Sequence, residues 1–419
     1  MSETMRASES AGPPNEVVND EGRMSRAAEL KSHANGTLRR ETDSLIALSH
    51  RISEHPETGL REVRAAGWLL EIASTVPDVG IETGIAGMPT AFAAEVGTGE
   101  LVVSICAEYD ALPGIGHGCG HNIIAAAAVG AFVSLAPLAD DLGATIRLLG
   151  TPAEENEGGK IRILRAGAFA GTNLAMMVHP GSVDEASMNP YASAVIEARF
   201  TGREAHASIA PHEGVNALDA MTVALTAIGL ARQQLAPGQQ VHGTVVDGGG
   251  APNIIPGSTA GIWMIRATDL PGLRRVRDRV EDCIRAGALA AGCEVEISQD
   301  ELSYHDLRID RPLTELYVEN AHLVGRSPAG VAHRGGSTDM GNISQVFPSI
   351  HPMVGLGDAG LVLHTPEFAA AARGPAGDRA VLDGALLLAA VAIDACCDPV
   401  HRERLLSDNA ISEEHALHS

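Results

Sequence analysis

Four short stretches of the chain carry side chains that bind metals or move protons. The first, residues 107–122, places Asp110, His117, Cys119 and His121 among glycines at positions 114, 116, 118 and 120. Glycine lets the backbone curl, so a carboxylate, a thiol and two imidazoles can be turned toward one point. The second, residues 150–160, contains the adjacent pair Glu154 and Glu155, the third sets His179 before Pro180 and Gly181, and the fourth is Leu363-His364-Thr365-Pro366-Glu367. Thiolate and imidazole disfavour calcium and magnesium, while carboxylate remains compatible with zinc, manganese or cobalt. The set predicts a divalent transition-metal ion held by Cys119, His121, Glu155, His179 and His364, with Glu154 free to act as a general base. A rival use of the same loop is a nucleophilic Cys119 activated by His117 or His121, which leaves Glu154, Glu155 and His179 without a task.

Elements that can position these groups are legible around them. Apolar runs at 101–106, 144–150 and 173–178 each end at one of the first three stretches, and helical patterns lie between them. Strand and helix in alternation predict an α/β sheet whose ligand-bearing loops gather on one edge. The Ala-rich runs at 123–139 and 380–397 are interrupted by Pro137 and by Asp383 and Asp394, short of the roughly 20 apolar residues of a membrane span, so they read as core helices. From residue 192 the order changes to strand, helix, strand, strand, helix, strand, the βαββαβ pattern of a ferredoxin-like unit. The expected fold is therefore α/β, a discontinuous α/β/α catalytic domain (37–191 and 304–419) with an inserted ferredoxin-like lid or dimerisation domain (192–303). Residues 1–36 are rich in Ser, Glu, Asn and Ala and read as a flexible tail outside the fold, with Thr42 and Asp43 capping the first helix.

Composition narrows the partners. A chain of 419 residues that is 45% hydrophobic and 20% charged can bury a large core and build two domains. The 53 acidic residues against 30 basic ones give a formal charge of −23, which repels phosphate backbones and anionic membranes, so neither nucleic acid nor a membrane is an expected partner. Six cysteines, at 106, 119, 283, 293, 396 and 397, form no C-x-x-C pair, and no charged segment leads into an apolar stretch at the N-terminus. Both features predict a cytoplasmic enzyme.

Six motifs, taken in order, resemble one family. His117-Gly118-Cys119-Gly120-His121-Asn122, Gly150-Thr151-Pro152-Ala153-Glu154-Glu155, Val178-His179-Pro180-Gly181, Gly202-Arg203-Glu204-Ala205-His206-Ala207-Ser208, Ala251-Pro252-Asn253-Ile254-Ile255-Pro256 and Ser337-Thr338-Asp339-Met340-Gly341 resemble the metallo-aminoacylases and carboxypeptidases. The similarity spans residues 42–396 and is greatest to the branch of aminobenzoyl-glutamate hydrolases, indole-acetyl amino acid hydrolases and β-alanyl-lysine-type dipeptidases. The resemblance implies the same five ligands around one or two divalent transition-metal ions (Mn, Zn or Co) per subunit, with Glu154 taking a proton from water and later giving it to the leaving amine, and Asp110 orienting a ligand. It implies a homodimer through the lid, or a higher homo-oligomer, in which His206 reaches the neighbouring subunit's site and stabilises the oxyanion of the tetrahedral intermediate. Asn253 and Arg266 would hold the carboxylate of a small-molecule substrate.

Two positions depart from that pattern. Many relatives carry a metal-binding His where this chain has Glu108, which weakens the expectation of a full second metal position. The segment Asn156-Glu157-Gly158-Gly159 is more acidic than is usual in the branch, so substrate choice is expected to differ.

The expected activity is metal-dependent hydrolysis of the C–N amide bond of a small N-acyl or N-aroyl amino acid or dipeptide. An alternative with the same groups is an aminohydrolase that releases ammonia from an aromatic amino acid such as a substituted anthranilate. A non-catalytic binding protein on the same fold is a further alternative, against which Glu154 beside a complete ligand set argues.

Overall fold

The chain is described here by a computed structural model covering residues 20–299 and 302–416. A helix of 35 residues, α1 (Asp20–Glu54), comes first. Leu30, Ala34, Leu38, Leu45, Leu48 and Ile52 recur along one side of it, and all are buried. The tail expected over residues 1–36 is thus corrected for 20–36, where apolar residues on one face tie an otherwise polar segment to the core; residues 1–19 lie outside the described residues. Thr42 is mid-helix rather than a cap, its hydroxyl donating to the carbonyl of Leu38 at 3.2 Å.

The remaining helices are α2 (Val63–Ala73), α3 (His121–Leu135), α4 (Ala139–Leu142), α5 (Gly159–Arg165), α6 (Ala217–Ala231), α7 (Leu270–Ala291), α8 (Arg311–Leu323), α9 (Met340–Val346), α10 (Pro366–Ala372), α11 (Pro375–Cys397) and α12 (Pro399–Ala416). The strands are β1 (Gly80–Thr83), β2 (Phe92–Val96), β3 (Leu101–Ala107), β4 (Ala144–Gly150), β5 (Thr172–Met176), β6 (His179–Gly181), β7 (Ala192–Thr201), β8 (Ala205–His206), β9 (Gln240–Asp247), β10 (Ile254–Ile255), β11 (Ser258–Ala267), β12 (Glu294–Gln299), β13 (Ser349–Ile350) and β14 (Met353–Gly355).

One six-stranded sheet runs in the order β1-β2-β4-β3-β5-β13. The β4, β3, β5 and β13 neighbours pair in parallel, while β1 and β2 add an antiparallel edge. Alternate side chains leave opposite faces of a strand. Ile105, Leu148 and Met176 accordingly join the core beneath α1, α3 and α11, whereas Cys106, Leu149 and Ala175 join a second core with Ile163, Phe169, Met340 and Ile343 from the α5 and α9 side. Burial on both faces is why these strands read as near-continuous apolar runs. β6 and β14 prolong this edge as a short parallel pair, Met353 opposite His179.

The apolar stretches His121–Leu142 and Pro375–Cys397 are long enough to cross a membrane by length and composition, yet 94% and 72% of their apolar windows are buried inside the fold. Gly130 allows their close contact: a Cβ there would lie 2.9 Å from both the Ala385 Cβ and a Leu45 methyl.

A second, antiparallel sheet, β12-β7-β11-β9, carries α6 and α7 on one face and realises the βαββαβ order, with the two-residue strands β8 and β10 added as a separate pair. Ala194, Ile196, Ala198 and Phe200 on β7 alternate into a core of its own with Trp263, Met221 and Ile284. The chain passes between the two bodies where Ser193 and Tyr304 exchange both backbone hydrogen bonds at 2.9 Å.

Leu38→Ala removes a side chain that is 4% exposed, and Met24→Ala one that is 76% exposed. Urea unfolding is expected to show a loss of about 2–4 kcal/mol for the first and almost none for the second. Equal effects would mean that α1 is not part of the cooperative core.

Candidate metal centre

The loop after β3 delivers the first ligands. Glu108 and Asp110 follow the strand directly, and the backbone closes through Gly120, whose φ of +78° caps the start of α3. A Cβ at Gly120 would lie 2.4 Å from Pro180, so only glycine lets this loop rest on the one bearing His179. Cys119 and His121 stand on either side of it, both buried.

Geometry then brings the distant groups together. The Cys119 Sγ lies 3.5 Å from Nε2 of His179, whose Nδ1 faces the Pro180 carbonyl at 2.7 Å and donates to it. His121 Nδ1 is 3.0 Å from Asp110 Oδ1, and Asp110 Oδ2 accepts the backbone N–H of Glu155 at 3.1 Å. His121 Nε2 faces Glu155 Oε1 at 3.8 Å, and that oxygen is 3.7 Å from Nε2 of His364. His364 adopts φ +65° and its N–H bonds the Gly118 carbonyl at 2.8 Å, which joins the late loop to the early one.

The donors suit a divalent metal. Metal–ligand bonds of about 2.0–2.3 Å at tetrahedral angles put neighbouring ligand atoms about 3.3–3.8 Å apart. His121 Nε2 and Glu155 Oε1 are buried without a hydrogen-bond partner, as expected of atoms reserved for a cation. The ligand atoms form two triads, Cys119–His121–His179 and Cys119–Glu155–His364, each within 4.8 Å. Cys119 belongs to both, and a third group, Glu108–His121–Glu154, lies within the same distance and shares only His121 with them.

Burial and charge set the protonation of these groups. Burial alone would depress the His121 imidazole, but Asp110, by charge and hydrogen bond, lifts it well above its ordinary value. Burial pushes the Cys119 thiol up and takes His179 down to about 4. Burial, reinforced by Glu108 and Asp339, raises the Glu154 carboxyl well above the carboxylate range. Glu154 is buried beside the triads, and its carbonyl accepts the Tyr304 hydroxyl at 2.7 Å.

The other expected residues are placed differently. His117 is buried but joins neither triad, and burial lowers it to about 3. In the lid, His206 on β8 is exposed, its Nδ1 3.2 Å from the Ser208 hydroxyl, and Asn253 lies beside it with its carbonyl on the Ala207 N–H at 3.0 Å. Arg266 sits on β11 opposite Ser193, and one guanidinium nitrogen is buried without a partner. Among the described residues, no hydrogen bond or ion pair within the single chain joins these three to the metal ligands.

Four further residues shape the site. Lys160 is fully buried, its Nζ held by Glu108 and, at 2.6 Å, by Asp339, whose other oxygen accepts the Lys160 N–H at 2.9 Å. Burial opposes that ammonium, but Asp339 and Glu108 raise it well above the usual lysine value. His351 is buried with both ring nitrogens unpartnered, its ring 5.8 Å from that of His179. Glu62 accepts the Ala153 N–H at 2.9 Å and the Thr90 hydroxyl at 3.0 Å. It thereby holds Ala153 at φ +60°, a left-handed conformation costing roughly 1–2 kcal/mol, and aims the next residue, Glu154. A lysine directly after two glycines was the one visible hint of the Lys160 cluster; nothing local marks Glu62 or His351.

Burial, with Asp110 nearby, raises the Glu62 carboxyl from 4.5 to about 7. A raised folded-state value means that the carboxyl costs nothing below about pH 4.5 and destabilises the fold increasingly as pH rises toward 7. Glu62→Gln can keep both hydrogen bonds and loses the charge. Its unfolding free energy relative to the parent, in metal-free protein, is expected to rise by about 2 kcal/mol between pH 5 and pH 8. A difference that stays constant with pH would contradict the raised value.

Residues 191–291 match the peptidase dimerisation domain of the M20 family. The chain is 37% identical over 388 residues to the Xaa-Arg dipeptidase of Mus musculus, covering 88% of this chain and 90% of that protein. It is 31% identical over 278 residues to one of the polypeptides of the p-aminobenzoyl-glutamate hydrolase of Escherichia coli, covering 61% and 57% of the two. A dinuclear metal-binding peptidase of the M20 family from Bacillus subtilis superposes with a TM-score of 0.66 over 85% of this chain and 98% of its own, at 19% identity. With a catalytic α/β body, an inserted dimerisation domain and a thiolate-centred set of metal donors, the chain belongs to the M20 peptidases and is a metal-dependent hydrolase of amide bonds.

Proposed function

We propose that this enzyme is a homodimeric dipeptidase that removes a basic C-terminal residue from small dipeptides, with related N-acyl amino acids as weaker substrates. The observation that carries it is the pair of triads sharing Cys119, with the Glu154 carboxyl beside them. A basic residue is supported by the relatives named Xaa-Arg dipeptidase, 37% and 36% identical over 88% and 77% of this chain, and by a charge of −23 that attracts cations.

A divalent ion held by Cys119, His121, Glu155, His179 and His364 supplies a polarised carbonyl and a more acidic water; the mixed donors favour zinc, manganese or cobalt. Glu154 takes the proton of the attacking water and hands it to the leaving nitrogen, and its buried position supports both halves of that task. Asp110 keeps the His121 proton on Nδ1, so that Nε2 presents its lone pair. The unpaired guanidinium nitrogen of Arg266, with Asn253, binds the substrate carboxylate.

His206 acts in the partner subunit's site as an oxyanion donor, which is supported by its exposure and by its lack of contact with its own ligands. Dimerisation through the lid is supported by the edge strand β9, where Val245 and Val246 are 39% and 56% exposed. Six free cysteines support a reducing, cytoplasmic location.

Glu154→Gln is expected to retain its metal and lose at least about a thousandfold in kcat, read by metal analysis and dipeptide hydrolysis. Substantial residual turnover would remove Glu154 from the mechanism. Co-expressed His206→Ala and Glu154→Gln chains should recover about a quarter of wild-type activity, since half of the dimers are mixed and each mixed dimer rebuilds one of two sites. No gain over the separate variants would place His206 outside the partner's site. A panel of Xaa-Arg, Xaa-Lys and Xaa-Glu dipeptides, aminobenzoyl-glutamate and anthranilates separates the substrates: arginine and lysine release is expected, and ammonia release from the anthranilates would instead identify an aminohydrolase.

A further inference from the structure

We infer that Glu108 is itself a metal ligand, its oxygen Oε2 entering the coordination of the ion held by His121. This rests on the metal assignment proposed above for the two triads and adds to it a carboxylate that neither triad contains.

Glu108 leaves the end of β3 with a side chain 1% exposed. Its two oxygens have different fates. Oε1 accepts from the ammonium of Lys160, which is fixed in turn by Asp339 at both its Nζ and its backbone N–H. Oε2 is buried with no hydrogen-bond partner, although it lies 3.4 Å from Nε2 of His121.

The His121 end makes that pairing informative. Nδ1 is engaged with Asp110 at 3.0 Å, so in the neutral ring that binds a metal the proton sits there and Nε2 offers a lone pair. Nε2 likewise has no hydrogen bond. In that neutral form two acceptor atoms face each other in a site closed to bulk solvent, where an unsatisfied carboxylate oxygen is costly. A cation bound to both removes both deficits, and 3.4 Å is the separation expected of adjacent ligand atoms on one tetrahedral ion. Glu154 also has a carboxylate oxygen within 4.8 Å of these two atoms, so an ion bound here is adjacent to the proposed base.

Lys160 supplies the remaining condition. With Glu154, Glu155 and Asp110 already close, a further carboxylate would suffer like-charge repulsion, and the Lys160 ammonium offsets it from the side away from His121. Held by the ammonium at one oxygen, Glu108 can turn only the other toward the ion, as a single-oxygen ligand.

The test uses the metal-stripped full-length dimer titrated with Co²⁺, followed by calorimetry and visible absorption. Glu108→Gln keeps an oxygen for Lys160 and removes the ligand charge; Glu108→Asp keeps the charge but draws it back by one methylene. In both, one Co²⁺ is expected to bind at least about tenfold more weakly, and the ligand-field band is expected to change in position and intensity. Unchanged affinity overturns the inference, and so does weaker binding with a wild-type band, which means that Glu108 acts only through its charge. Wild-type protein that binds no Co²⁺ would instead sink the underlying metal assignment. Should one variant fail to fold, as read by circular dichroism, the other decides by the same criteria.

Discussion

The hydrogen bond between Asp110 and Nδ1 of His121 is the contact on which the candidate metal centre depends. In the neutral ring it selects the tautomer in which Nε2 is bare, and the second Asp110 oxygen takes the backbone N–H of Glu155. One carboxylate therefore orients a candidate ligand from the loop after β3 and locates another from the loop after β4. Charged acceptors bond more strongly than neutral ones, typically about 1.5–3 kcal/mol each. The parallel pairing of β3 and β4, with Ala107 opposite Gly150, brings those two loops level so that a single side chain can span them.

Around this contact the fold holds unfavourable conformations and buried charges. Ala153 and His364 have positive φ, and both flank or belong to the ligand set. Lys160, Glu108 and Asp339 form a buried ion cluster, an arrangement whose desolvation cost commonly rivals its Coulombic gain. Such features persist because the surrounding structure is over-determined: the two cores on either face of the large sheet bury nearly every apolar side chain of β3, β4 and β5.

The inserted body contributes in another way. Its core is separate, and within one chain its motif residues His206 and Asn253 stay apart from the ligands. Only Arg266 lies near the crossing between bodies, opposite Ser193, whose backbone pairs with Tyr304, and the Tyr304 hydroxyl reaches the carbonyl of Glu154. The backbone of the proposed base is thereby linked to the junction with the lid.

Much of this architecture is legible in residue order alone. Residue type and local spacing determined the strand–helix alternation and the βαββαβ insertion, and they single out five candidate metal donors, because each stands near the end of an apolar run or in a loop, and strand ends are where a parallel sheet presents its loops. The start of α1 reads as a tail because its few apolar residues are too widely spaced to outweigh a polar composition, and only packing against α3 and α11 shows their value. Lys160, Glu62 and His351 escape notice for a related reason. Lys160 meets Asp339 across 179 residues and Glu62 meets Ala153 across 91, so no local window contains both partners. The sequence by itself determined which groups could bind metal. Tertiary structure alone decided that Cys119 is shared between two triads, that Glu108 faces His121, and that a lysine stands behind it, since burial and distance between remote segments are properties of the packed chain.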